Sequence, residues 1–121
     1  MNCNKTSGDE DTRLGFRENV GYLIENVTRI AGENGGFGVM EFKGVFGLAQ
    51  CWKSVSADGC RDCLEKAGAM VRGCLPNTEG RGLNAGCYLR YSTHKFFNDE
   101  SQKMKESFGK FVFSDLDSIL L

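Results

Sequence analysis

Five apolar residues, Phe16, Val20, Leu23, Val27 and Ile30, recur at steps of four, three, four and three within residues 13–31. That spacing holds them on one face of an α-helix, with Arg13, Arg17, Glu18, Glu25 and Arg29 off the stripe. Thr12 is placed to cap its start and Gly32 its end. Glu33-Asn34-Gly35-Gly36 reads as a turn. Phe37 to Phe42 then alternates as a strand, Lys43-Gly44 turns the chain, and Val45 to Trp52 forms a second, more apolar strand, so the pair predicts a hairpin. Ser56-Ala57-Asp58-Gly59 opens a second helix that runs to Arg72, with Cys60, Cys63, Leu64, Ala67, Met70 and Val71 on its inner face. Residues 73–81, with Pro76, read as a loop. Gly82 to Thr93 is a third strand region, where Cys87, Leu89 and Tyr91 alternate with Tyr88, Arg90 and Ser92, and where Gly82 and Gly86 read as bulge positions. Residues 99–121 start charged and carry only a weak apolar period, which reads as a tail or linker.

A chain of 121 residues that is 40% hydrophobic, with nine Phe, is sized for one domain with a core. Fifteen Lys and Arg against sixteen Asp and Glu leave a formal charge of −1, which argues against nucleic acid or an anionic membrane as partner. Gly35-Gly36-Phe37-Gly38 lacks the Lys-Ser/Thr pair of a phosphate-binding loop. The sequence contains no apolar run long enough to span a bilayer.

Six cysteines change the picture most, and three of them fall in the stretch CWKSVSADGCRDC, Cys51 to Cys63. Zinc is one use for Cys60-x-x-Cys63, but a closed site needs a second close pair, and Cys74, Cys87 and the single His94 do not form one. A thioredoxin-type redox pair needs a βαβ context that the pattern lacks. A structural disulfide framework fits an even count in a short chain. It also gives the polar arm of residues 1–12, which holds Cys3, a reason to be ordered. Such a framework demands an oxidising compartment, yet the chain opens at Met1 without the apolar core of a signal peptide. The expectation is therefore an extracellular protein represented by a fragment, or by a gene reading without its first exon. Sequence alone leaves fifteen ways to pair six cysteines.

The spacing Cys51-x8-Cys60-x2-Cys63 followed by Cys74 and Cys87, with the segments GVFGLAQCWKSVSADGCRDC and GCYLRYSTHKFFN, resembles the plant ginkbilobin-type or stress-antifungal domain. That family makes up ectodomains of cysteine-rich receptor-like kinases and plasmodesmata-located proteins, and small secreted antifungal lectins. The resemblance covers residues 1–98 and leaves 99–121 unmatched. It implies an α+β fold, with two helices on an antiparallel sheet of about five strands. It also implies the pairings Cys3–Cys74, Cys51–Cys60 and Cys63–Cys87.

The function it implies is non-catalytic recognition in defence or stress signalling, with mannose or a cell-wall glycan as ligand and no cofactor. Mannose-binding members use an Asn after the first cysteine, an Arg six residues before the last and a Glu five residues after it. Here those positions hold Asn4, Arg81 and Ser92, and the serine removes the strong acceptor. Asn4-Lys5-Thr6 and Asn26-Val27-Thr28 are also glycosylation sequons, and a glycan on Asn4 would block its use as a ligand donor. The other expectation is a protein-interaction module that contacts another ectodomain through Tyr88, Phe96 and Phe97. Cys–His catalysis would need a free thiol beside His94, and a complete framework leaves none.

Overall fold

The computed structural model describes residues 2–3 and 10–97. Seven elements follow in the order β1 (Asn2–Cys3), α1 (Phe16–Glu33), β2 (Phe37–Phe42), β3 (Val45–Cys51), α2 (Ala57–Arg72), β4 (Glu79–Asn84) and β5 (Cys87–Ser92). The strands form one antiparallel sheet in the order β1-β4-β5-β3-β2, and β1 contributes only two residues to it. Both helices lie on one face of this sheet. The result is the α+β architecture that the family resemblance implies.

The stripe on α1 is buried at Phe16, Val20, Leu23 and Val27, joined by Ile24 and Ala31, while Ile30 is half-buried at its margin. The helix begins at Phe16, three residues later than the span 13–31 expected from the sequence. Gly15 precedes it at φ 82° with no side-chain cap, so Thr12 does not cap it. That left-handed glycine breaks the helix from Arg13, whose guanidinium turns back onto Asp11. The hydrogen bonds and charge of Arg13 hold the Asp11 carboxyl below its usual range. Gly32 does not end the helix either. The chain leaves it at Asn34, where Gly36 N–H donates to Ala31 O at 2.8 Å.

Helix α2 starts as its sequence predicts: Ser56 Oγ accepts from Gly59 N–H at 3.0 Å. Its inner face buries Cys60, Cys63, Leu64, Ala67 and Val71. All six cysteines are paired, as Cys3–Cys74, Cys51–Cys60 and Cys63–Cys87, with Cα separations of 5.3, 5.6 and 6.0 Å. The first ties the short β1 to the end of α2, and the other two pin α2 to β3 and β5.

Residues 79–81 belong to a strand and not to the expected loop. The inward positions of β4 are Gly80 and Gly82, so no apolar alternation marks it. A Cβ on Gly80 would stand 2.6 Å from the Tyr91 ring and 3.1 Å from Cys74, and the strand lies that close to the core because the glycine has none. Gly82 keeps regular register with Leu89, and Gly86 at φ 102° sits in the turn to β5, so neither makes a bulge. Buried Tyr91 donates its hydroxyl to Asn77 O at 2.8 Å, and burial, aided by the Glu79 carboxylate, raises its pKa strongly. Among the described residues no helix is long and apolar enough to cross a membrane.

Candidate functional site

Strand geometry sends alternate residues to opposite faces, so the face away from the helices is fixed by register. On β4 it carries Glu79, Arg81 and Leu83, and on β5 Tyr88, Arg90 and Ser92. On β3 it carries Phe46, Leu48 and Gln50. The face divides into two halves. Over β2 and β3, Phe37, Leu48 and Tyr88 form a small apolar cluster, against which Val39, Trp52, Phe96 and Phe97 pack. Over β4 and β5 the face is charged.

Glu79 organises the charged half. Its Oε1 accepts from Arg90 Nε at 2.8 Å and again from Arg90 Nη2. The Arg90 guanidinium also stacks on the Phe96 ring, 4.0 Å from its centroid. Arg90 is thus held on two sides and shielded, with its side chain only 15% exposed. Arg81 reaches Glu79 Oε2 only to 3.8 Å, beyond hydrogen-bonding distance, and its side chain is 34% exposed. Leu83, 52% exposed, continues the same strand face. Two guanidiniums thus share one carboxylate.

The expected ligand residues are placed unequally. Arg81 and Ser92 share this face as diagonal neighbours, since Arg81 pairs with Arg90 and Glu79 with Ser92. Ser92 is buried at 3% exposure, and its Oγ accepts from His94 N–H at 3.0 Å. Asn4 lies outside the described residues, as does the 99–121 tail; the adjacent Cys3 pairs with Gly80 in the sheet. Asn26 sits on α1, behind the sheet, where its Nδ2 donates to Tyr22 O at 2.8 Å. Tyr88 corrects an expectation: it is buried at 1% exposure, not an exposed interface aromatic. Phe96 and Phe97 follow β5 and pack on the open face, meeting each other and Phe46 edge-on, and so cover it. Burial raises the Tyr88 pKa, with the Arg90 and Arg81 charges opposing. Tyr88 Oη and Gln50 Oε1 have no hydrogen-bond partner among the described residues.

Sequence reasoning missed Glu79 and Arg90 as members of the site. The alternation in CYLRYS already set Arg90 beside Ser92, but Glu79 was hidden by reading its strand as loop. Away from this face, a groove of about 610 Å³ between α1 and α2 is lined in part by Ile24, Leu64 and Gly68. Its lining is balanced in charge, with Arg29, Arg61 and Arg72 against Glu25, Glu33 and Glu65, and Arg29 pairs with Glu33 at 3.0 Å. Among the described residues no cluster of His, Cys, Asp or Glu is arranged to hold a metal ion.

The salt stress response/antifungal family profile matches residues 2–94. Cysteine-rich receptor-like protein kinase 42 of Arabidopsis thaliana is 48% identical over 103 residues, 84% of this chain and 15% of its own length. Cysteine-rich receptor-like protein kinase 1 of the same plant is 44% identical over 99 residues, 77% of this chain and 16% of its own length. The chain therefore spans only a small part of these relatives. The crystal structure of the tandem DUF26 ectodomain of the Arabidopsis thaliana cysteine-rich receptor-like protein PDLP5 shares the fold, with a TM-score of 0.62 at 23% identity, over 75% of this chain and 42% of that one.

Proposed function

The chain belongs to the salt stress response/antifungal family, and from that premise we propose that residues 1–98 are a non-catalytic, extracellular recognition domain of a cysteine-rich receptor-like or secreted protein. Its ligand is a glycan, bound on the open sheet face over β4 and β5, in defence or stress signalling. Residues 99–121 act as its tail or linker. The observation that carries this reading is Arg81, a half-exposed guanidinium with one distant ion partner, on the face where Glu79 and Arg90 are already locked together. An arginine held on a rigid strand with spare N–H donors is suited to sugar oxygens. Asn4 and Asn26 are its glycosylation acceptors, and Asn26 must release Tyr22 O to be modified.

Mannose itself binds weakly in this reading. Its hydroxyls need an acceptor as well as a donor, and the buried Ser92 Oγ is turned to the His94 amide. Ser92→Glu is expected to raise mannose affinity by about 5-fold, at the low end for a charge-assisted bond, because the new carboxylate competes with Glu79 for Arg81. Calorimetric titration of mannose into both forms, made without Asn4 glycosylation, checks this. Tight binding by the wild type would show that the missing acid is no defect.

A second reading has its own observation. Trp52, Phe96 and Phe97 remain partly exposed beside the buried cluster, an arrangement suited to contact with another ectodomain. A glycan panel with no binder, together with complex formation lost on Phe97→Ala, would favour it.

A further inference from the structure

Resting on the open face as a glycan site, we propose that the glycan it selects is acidic: an oligosaccharide of uronic-acid units whose carboxylate is held by Arg81. The argument begins with charge. Glu79 is satisfied by Arg90 through two N–H donors to one oxygen, and that pair is half of a stacked unit with Phe96. The charge of Arg90 is therefore spent inside the protein. Arg81 stands next to this pair with Glu79 Oε2 at 3.8 Å, and among the described residues no acid lies closer. Glu41, also on this face, lies at the β2 edge, three strands away, where it accepts from Gly44 N–H. The diagonal neighbour of Arg81, Ser92, brings no charge. Among the described residues one positive charge is left over on this partly desolvated surface.

A neutral hexose answers this surface poorly. It offers oxygens to Arg81 but brings no charge to cancel the surplus. A uronate matches it better, since a planar carboxylate takes two parallel N–H bonds from one guanidinium and cancels the surplus charge. Leu83, 52% exposed next along the strand face, supplies an apolar contact for the C–H face of a sugar ring. The helix groove has no such surplus, because the three arginines of its lining are matched by three glutamates, Glu25, Glu33 and Glu65.

The test is titration of trigalacturonate, its methyl ester, mannotriose and polyglutamate into the unglycosylated wild type, Arg81→Gln and Ser92→Glu. Trigalacturonate should bind the wild type about 10-fold tighter than its ester, and Arg81→Gln should remove that margin. Ser92→Glu should weaken trigalacturonate while strengthening mannotriose, because it returns a negative charge to the diagonal position. If that variant fails to fold, the ester comparison and Arg81→Gln still decide. Ester or mannotriose binding as tightly as the acid overturns the acidic preference and leaves the glycan reading standing. No binding of any sugar overturns both. Polyglutamate binding as tightly as trigalacturonate overturns the inference in favour of an acidic protein partner.

Discussion

Replacing Cys3 and Cys74 together by serine is expected to destabilise the domain more than deletion of residues 99–121. The bond joins positions 71 apart and closes a loop that contains both helices, β2 and β3. By loop-closure entropy, a closure of this length is worth about 4 kcal/mol, the largest entropic share among the three disulfides, whose other separations are 9 and 24. The native state adds a local reason. Strand β1 has two residues and pairs only with Arg81 and Gly80 of β4. Without its disulfide that strand has too few contacts to stay paired, since ladders this short are marginal. The Sγ atom of Cys74 also packs against Gly80, where a Cβ would come within 3.1 Å of it, so the loss is felt under the charged half of the open face. Thermal melts of the two variants decide the order. A fall of roughly 15 °C or more is expected for the double serine, and a small shift for the truncation. Equal or reversed shifts would mean that the 99–121 segment contributes to the core.

Gly38→Ala is expected to cost about 2–3 kcal/mol, while Gly21→Ala gains about 0.5–1 kcal/mol. Both glycines lie in regular elements, and the difference is in what surrounds them. A Cβ on Gly38 would stand 2.9 Å from Ala31 N, 3.0 Å from Val27 O and 2.9 Å from Ile30 Cγ2. Two of those atoms are backbone of α1, so no rotamer change relieves the contact and the helix must lift from β2. Lifting α1 loosens Val27 and Ala31, both fully buried. Gly21 lies on α1 with nothing within 4 Å of its would-be Cβ, so alanine there adds helix propensity without a clash. Urea denaturation of both variants checks the opposite signs. A neutral Gly38→Ala would mean that α1 does not rest on β2 as closely as this packing requires.

The helices and the β2–β3 hairpin were legible because each carries a full periodic signal. Phe16, Val20, Leu23 and Val27 mark one face of α1, and Ser56 marks the start of α2. Strand β4 was not legible, because its inward residues are Gly80 and Gly82 and hydrophobic alternation cannot register a face made of missing side chains. The helix start differs for another reason: Gly15 at φ 82° precedes the first turn, so Thr12 cannot cap it. Half of the site could be read in advance. Alternation put Arg90 and Ser92 on one face, but it cannot say what covers that face. Phe96 and Phe97 pack there from beyond the strand, and Tyr88 and Ser92 are buried on it. Glu79 became visible as the partner of both arginines only once its strand was in register with β5. The cysteine pairing came from family resemblance, since residue spacing leaves the alternatives equal.

The most direct measurement of the central claim is a map of ligand-induced shifts in ¹H–¹⁵N spectra of the labelled domain, titrated with trigalacturonate and with mannose. The account predicts shifts concentrated at Glu79, Arg81, Leu83 and Arg90 on β4 and β5, with the Arg81 side-chain Nε–H moving most and the pattern lost in Arg81→Gln. Shifts centred instead on Thr28, Leu64 and Arg72 in the helix groove, or none with either sugar, would contradict it.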